Sequence, residues 1–552
     1  MSEKEKINWL EWGKEAFDKA KNENKPILLD ISAVWCHWCH RMDQDIYSDP
    51  IIAKTINEGF IPIKVDTDKR PDINERYNQG GWPTTAFLGP DGELIAGATY
   101  VPPEQMKALL PQVKYFYGSQ KRSTRSIVQK PQYKEGEISE QITKDVVEYL
   151  KDNFDAVYGG FYYEPKFPMP EAIELAILLY RKTQDKVFLQ MAKTTLDGMT
   201  GIYDQVEDGF FRYSVRQDWS LPHYEKMLEV NAGLLRNYVT GFALTGKEEY
   251  RKIAMGIVKY IRTKLFDKAF CGSQDADEDY YALRTREERE KMKEPYIDKT
   301  IYTNWNGKCI AAFLDAYVVF EDAALLQDAE KAVEFLIKYC YDQKRGMCHY
   351  YDGQQNVFGL LSDNIWAMAA LLKMYQVKSE KKYLDIAESI ANYIDKHLKD
   401  KKGFFDRVQE EELGMLKERN KPIMENSVAA MVFADMEKLT GNEEYGKTAK
   451  GCLSIFAQDY KVYGVHSAIY ALATEKFLDP IHIAVVGSEK EKSGIKKLIA
   501  IPDTRIIAQF LDEEEDNKQI KKLGYGKGVF ICKGKTCQRT ETVDEAIGKL
   551  GK

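Results

Sequence analysis

Residues 26–42 read PILLDISAVWCHWCHRM, and this stretch decides the first part of the fold. Pro26 to Ser32 is an apolar run of strand length, and the segment after it is helical in character. Cys36 and Cys39 therefore fall where a strand runs into a helix. A helix N-terminus stabilises anions, so a thiolate placed there is expected to have a lowered pKa. Only the thiolate attacks a disulfide, which makes Cys36 the expected nucleophile. Cys39 is near enough to resolve the mixed disulfide. His37 between them adds positive charge when protonated and predicts a more oxidising couple than a Gly-Pro pair would give.

Working outward, residues 10–23 (LEWGKEAFDKAKNE) predict an amphipathic helix, and FIPIKVD at 60–66 a second strand. Gly80-Gly81-Trp82-Pro83 leads into TTAFLGPDGELIAG, two strands about the turn Pro90-Asp91-Gly92. A helix from about Pro103 to Tyr117 closes the segment. Strand, helix, strand, hairpin and last helix is the order of a thioredoxin fold. In that frame Asp30 takes the place of a buried carboxylate able to accept the proton of Cys39. Pro83 is the expected cis-proline, whose backbone would pair with a substrate beside the sulfurs. Three other readings fit the motif. Cys36-His37-Trp38-Cys39-His40 matches a c-type haem attachment pattern. Cys36, Cys39 and His40 suit zinc, and the dithiol could be an inert part of a structural domain. Redox use is the reading favoured here, with no cofactor and no metal.

The 552 residues are too many for one core and suggest three or four domains. Hydrophobic residues make up 44%, charged residues 30% and aromatics 12%, with 34 Tyr, which predicts a cavity or interface lined by rings. A formal charge of −7 argues against a nucleic-acid partner. No apolar run reaches the roughly 18 residues of a membrane span, and the opening MSEKEKINWLEW lacks the apolar stretch of a signal peptide. A cytoplasmic location is the expectation. The nine cysteines are an odd, scattered set unlike a secreted disulfide framework, so the close pair Cys36/Cys39 stands out.

Residues 121–137 are polar and read as a linker between a thioredoxin-like domain at 1–120 and a helical domain at 138–477. Twelve helices are expected in that domain, at 138–154, 171–183, 186–203, 225–244, 248–264, 306–321, 325–340, 363–377, 381–398, 425–439, 443–457 and 465–476. Short loops joining Gly to aromatics recur between them, as in YGGFYYEPKFP, EDGFFRYS, RGMCHYYDG and KGFFDR. Six helix pairs with similar loops predict an all-α (α/α)6 toroid whose loops gather at one mouth; an open solenoid is the alternative. Polar residues in unusual places are candidates to line a toroid pocket. They are Glu164 and Lys166, Arg212, His223, Glu225 and Lys226, Asp275 and Asp277, Asn304 and Trp305, and Asn426. Opposed carboxylates across an aromatic cavity could act as acid and base on a sugar. The same Asp residues could equally cap turns, and Arg212 and Lys166 could sit in a structural ion network. Residues 478–552 predict a small C-terminal α/β unit, with Cys532 and Cys537 as incidental thiols.

The pieces WCHWCH, VDTDKRPDI, GGWPTTAFLGPDG, YEPKFP, YDQVEDGFFRYSV, LPHYEKML, SQDAD, WNG and ENSVAA resemble, in order, the family typified by spermatogenesis-associated protein 20 and bacterial YyaL. The resemblance implies a thioredoxin-like domain followed by a toroid similar to that of N-acylglucosamine 2-epimerase and the six-hairpin glycosidases. The family usually reads Gly-Gly-Gly-Phe-His-Arg-Tyr where this chain has Glu207-Asp208-Gly209-Phe210-Phe211-Arg212-Tyr213. Epimerases of this fold rely on opposed histidines, and here only His223 and His349 are placed to serve. The first expectation is a thiol–disulfide protein using Cys36, Cys39, Asp30 and Pro83, with a disulfide-bearing protein or a small molecule, a sugar among the options, as partner. A carbohydrate-active enzyme and a non-catalytic scaffold are the alternatives.

Overall fold

A computed structural model describes residues 6–119, 133–409, 413–534 and 536–550. The expected linker lies outside the described residues over 121–132. Four strands form the first sheet: Ile27–Ser32, Ile61–Asp66, Thr84–Leu88 and Leu94–Ala98. The order across it is second, first, third, fourth. The first two strands run parallel, and the third runs antiparallel to the first. The central strand is apolar apart from Asp30 and the terminal Ser32, as a strand covered on both faces requires.

The helical domain closes on itself. Six inner helices, Pro170–Thr183, Leu228–Thr245, Thr303–Phe320, Leu361–Lys378, Ile423–Thr440 and Ser467–Leu478, each pack on the next, and the last packs on the first. Six outer helices surround them: Glu140–Asp152, Lys186–Gly198, Glu248–Lys264, Ala323–Phe335, Lys381–His397 and Glu443–Ser454. Each inner helix from the first to the fifth ends in a residue with positive φ, and the next residue caps an outer helix. These ends are Gln184, Gly246, Glu321, Ser379 and Gly441. These tight connections lie at one end of the toroid, and the long Gly-aromatic connections lie at the other.

The long connections are held by repeated devices. Asn231, Asn306, Asn364 and Asn426 occupy the fourth position of their inner helices, and each is fully buried. Each accepts from a backbone N–H in the incoming loop, of Phe210, Phe270, Met347 and Phe404 respectively. Lysine–aspartate pairs pin three of the loops: Lys166 with Asp155 at 2.5 Å, Lys226 with Asp204 at 2.6 Å and Lys421 with Asp400 at 2.8 Å.

At mid-depth the inner helices present Glu174, Arg236, Asp315, Lys373, Asp435 and Lys476, one from each helix in order. Arg236 bridges Glu174 at 3.0 Å and Asp315 at 3.2 Å; Lys373 pairs with Asp315, and Lys476 with Asp435 at 2.6 Å. Lys476 also attracts Glu174, and Lys373 attracts Asp435, so favourable interactions run right round the ring. Opposite charges on neighbouring helices attract one another across the cavity wall.

The tail is a second four-stranded α/β unit: Ile481–Gly487, Ile506–Asp512, Gly528–Lys533 and Thr536–Thr540. Its order is again second, first, third, fourth, with the same parallel and antiparallel pairings as the first sheet. It covers the end of the toroid that carries the tight connections. Lys381 pairs with Asp516 at 2.6 Å, and Gln519 donates to the Leu439 carbonyl. Cys532 and Cys537 are not incidental thiols: they face each other across the last hairpin and form a disulfide. Among the described residues, no helix is long and apolar enough to cross a membrane.

Candidate functional site

The first sheet docks over the mouth formed by the long connections. Leu416, from the connection before the fifth inner helix, is buried in the core of the thioredoxin-like domain. The backbones touch beside it. A Cβ on Gly92 would lie 2.2 Å from the Gly414 Cα, and both residues have positive φ, so glycine is required on each side. Arg76 pairs with Asp406 at 2.7 Å, Arg407 with Asp72 at 3.1 Å and Lys69 with Asp352 at 3.2 Å. His349 lies between Asp363 and the Asp68 carbonyl, at 3.0 and 2.7 Å. Burial opposes its charge, but the Asp363 carboxylate and these hydrogen bonds hold its pKa up to about 9.

The dithiol sits at this interface. Cys36 and Cys39 form a disulfide, and Cys36 is the N-cap of the helix His37–Met42. Its sulfur accepts from the Cys39 N–H at 3.2 Å, the first-turn donor that would face a thiolate. Both cysteines belong to the same buried cluster as the toroid core and are 6% and 3% exposed. Trp38, between them in sequence, is 48% exposed. Asp30, on the strand that leads to the dithiol, is buried, with Lys64 at 3.4 Å and the Tyr47 hydroxyl donating at 3.3 Å. Burial raises its pKa to about 6 against the pull of Lys64, a value suited to moving a proton near neutrality. The Trp82–Pro83 peptide is cis, and Pro83 is buried.

Four of the toroid candidates gather here. Asp275 holds His40, next to Cys39, at 3.0 Å, and this hydrogen bond raises the histidine pKa. Arg212 lies over the Trp35 ring at 4.4 Å and the Trp82 ring at 5.0 Å, and donates to Glu225 at 3.1 Å. His223 is 3.7 Å from Glu225, and burial lowers its pKa despite that carboxylate. His223 and Glu225 lie in an extended segment before the inner helix rather than at its start, because residues 222–223 pair with 213–214 and the helix begins at Leu228.

The structure does not bring the others together. Lys166 and Lys226 are fully buried loop pins, and Asn426 is a loop clasp. Asp277 caps a short helix by accepting from the Tyr280 N–H. Glu164 is exposed and accepts from the Gln217 N–H. Asn304 and Trp305 lie in the first turn of the third inner helix, where Asn304 accepts from the Trp305 N–H. An axial cavity of about 400 Å³ is lined by other residues, Glu171, Glu229, Lys308 and Trp366 towards the mouth, with Ile501 and Ile507 of the tail at its floor. Their sequence signal was charge at seven-residue spacing within buried inner helices, as in Glu229/Arg236 and Lys308/Asp315. Among the described residues, no group of three or more His, Cys, Asp or Glu could hold a metal ion.

Residues 1–133 match the family model Thioredox_DsbH, described as a protein of unknown function, DUF255. Uncharacterized protein B0495.5 of Caenorhabditis elegans is 24% identical, over 99% of this chain and 94% of its own length. Spermatogenesis-associated protein 20 of Homo sapiens is 32% identical over 53% of this chain and 43% of that one. The chain thus spans less than half the length of that relative. A solved sugar epimerase from a ruminal bacterium superposes with a TM-score of 0.49 at 13% identity, over 58% of this chain and 85% of that one. The chain is therefore similar along its length to known proteins, with a thioredoxin-like domain at its start.

Proposed function

We propose that this relative of spermatogenesis-associated protein 20 is a thiol–disulfide exchange protein whose toroid covers the dithiol and completes its substrate site. The observation that carries the reading is the bonded Cys36–Cys39 pair at a helix N-cap, at the end of a strand that carries a buried Asp30. In the reduced form the Cys36 thiolate attacks a disulfide RS–SR, bonds to one sulfur and releases RS⁻. Cys39 gives its proton to Asp30, bonds to the Cys36 sulfur and releases the second RS⁻. The substrate gains two electrons, the protein loses two, and a dithiol reductant restores Cys36 and Cys39.

A sugar reaction carried by Asp275, Asp277, Glu225 or His223 has weaker support, since the three carboxylates are committed to His40, a helix cap and Arg212. The test is a titration in glutathione buffers, with Cys36 and Cys39 read by alkylation and mass. A reversible two-electron transition, absent in Cys36→Ser, is expected. Thiols that never pair would sink the reading and leave a scaffold or a toroid enzyme.

A further inference from the structure

A side chain of the toroid lies on the two tryptophans that precede Cys36 and Pro83. Trp35 precedes Cys36 and Trp82 precedes Pro83, and their rings meet edge to face at 5.7 Å. The Arg212 guanidinium lies on both rings, at 4.4 and 5.0 Å. The negative faces of two aromatic rings attract the cation and hold it in place. Its backbone N–H donates to the His223 carbonyl at 3.3 Å, which fixes the segment that carries it. A protein disulfide would have to lay its backbone across Trp82 and buried Pro83, and Arg212 already lies over the Trp82 ring. A molecule of few atoms needs no such groove.

The same side chain offers a recognition element. A guanidinium carries five N–H donors in one plane. Among the described residues, the hydrogen-bonded acceptor of the Arg212 side chain is Glu225 alone, through Nη1 at 3.1 Å. The side chain is 18% exposed, and the Trp35 ring it lies on belongs to the residue before Cys36. A planar fork with donors to spare is matched by a carboxylate, which accepts two parallel hydrogen bonds.

We propose that the substrate of the dithiol is a low-molecular-weight disulfide bearing a carboxylate, held by Arg212 while its sulfur reaches Cys36. The inference rests on the exchange reading above and follows the same bond changes. Arg212 binds and orients; Cys36 and Cys39 do the chemistry.

The test uses the full chain in its reduced form and follows oxidation of the dithiol by dithiodipropionate, hydroxyethyl disulfide, cystamine and insulin at equal disulfide concentration. Dithiodipropionate is expected to react about tenfold faster than neutral hydroxyethyl disulfide, the scale of one charge-assisted pair. Cystamine should react no faster than the neutral compound, and insulin should be slowest. In Arg212→Gln the ratio of dithiodipropionate to hydroxyethyl disulfide rates should fall to about one; in Arg212→Lys it should be intermediate. Equal rates for the two small disulfides in the unaltered protein, insulin reacting fastest, or a ratio unmoved by Arg212→Gln would each overturn the proposal. The ratio in the unaltered protein decides the matter even if the variants do not fold. Failure with every disulfide, hydroxyethyl disulfide included, would instead overturn the exchange reading beneath it.

Discussion

The two ends of the toroid carry α/β units with the same strand order and the same parallel and antiparallel pairings. Their chemistry differs at three positions of that shared frame. Where the first strand runs into a helix, the N-terminal unit has Cys36 and Cys39, and the C-terminal unit has Ser488 with a capping box to Glu491. The fourth residue of the central strand is Asp30 in one and Ala484 in the other. The third strand is entered through Trp82-Pro83 in one and through Lys527 in the other. A cysteine pair is present in both, but Cys532–Cys537 closes a hairpin, away from the strand–helix junction. One backbone thus supports a reactive centre or a structural cover, and a handful of side chains decides which.

This contrast can be broken or sharpened by experiment. The largest effect is expected at the junction cysteines: Cys36→Ser should abolish exchange, while Cys532→Ser should leave the rate intact and cost the C-terminal unit about 2 kcal/mol. Denaturant unfolding and dithiol oxidation, run on both variants, check the pair. Next, Asp30→Asn should slow the resolving step by on the order of a hundredfold. It should also remove an inflection near pH 6, where Asp30 changes charge. A rate–pH profile identical to that of the unaltered protein would contradict this.

A further difference lies in how the units dock. The N-terminal unit is held by ion pairs and by His349, whose pKa stands at about 9. A histidine raised in the folded state contributes stability that is full below its unfolded value near 6.5 and is lost as pH rises through about 9. Alkaline solution should therefore loosen the N-terminal unit before the C-terminal one. Hydrogen exchange around Asp68 and His349 against that around Ala508 would reveal it, and equal loosening would refute it. The smallest effect is expected from Ser488→Ala, about 1 kcal/mol of local stability with no change in exchange rate.

Much of this was legible in the residues. The strand ending at Ser32, the dithiol and the six helix pairs follow from period and punctuation, and the structure supplies all twelve helices. Periodicity ran the helix back to Glu225, three residues before its start at Leu228, because the two-residue strands beside Glu225 have no period to detect. Polarity in an apolar setting marked Lys166, Lys226 and Asn426, but it signals a buried partner as strongly as a ligand, and these three have buried partners. Arg212 was visible as a candidate, whereas its seat on Trp35 and Trp82 depends on a contact between residues about 130 to 180 positions apart, which no local pattern encodes. The repeated sheet order of the tail was equally hidden, since its strands share a path with the first sheet but not a motif.

The ring of Glu174, Arg236, Asp315, Lys373, Asp435 and Lys476 imposes a rule of parity. Signs that alternate around a closed circle can do so only if the number of members is even. Losing or duplicating one helical hairpin would bring two like charges side by side in the belt that lines the axial cavity, and like charges that close repel. The belt therefore counts the repeats: a toroid of this sequence type can change its tally by two, or exchange charge for apolar side chains, but cannot drift by one.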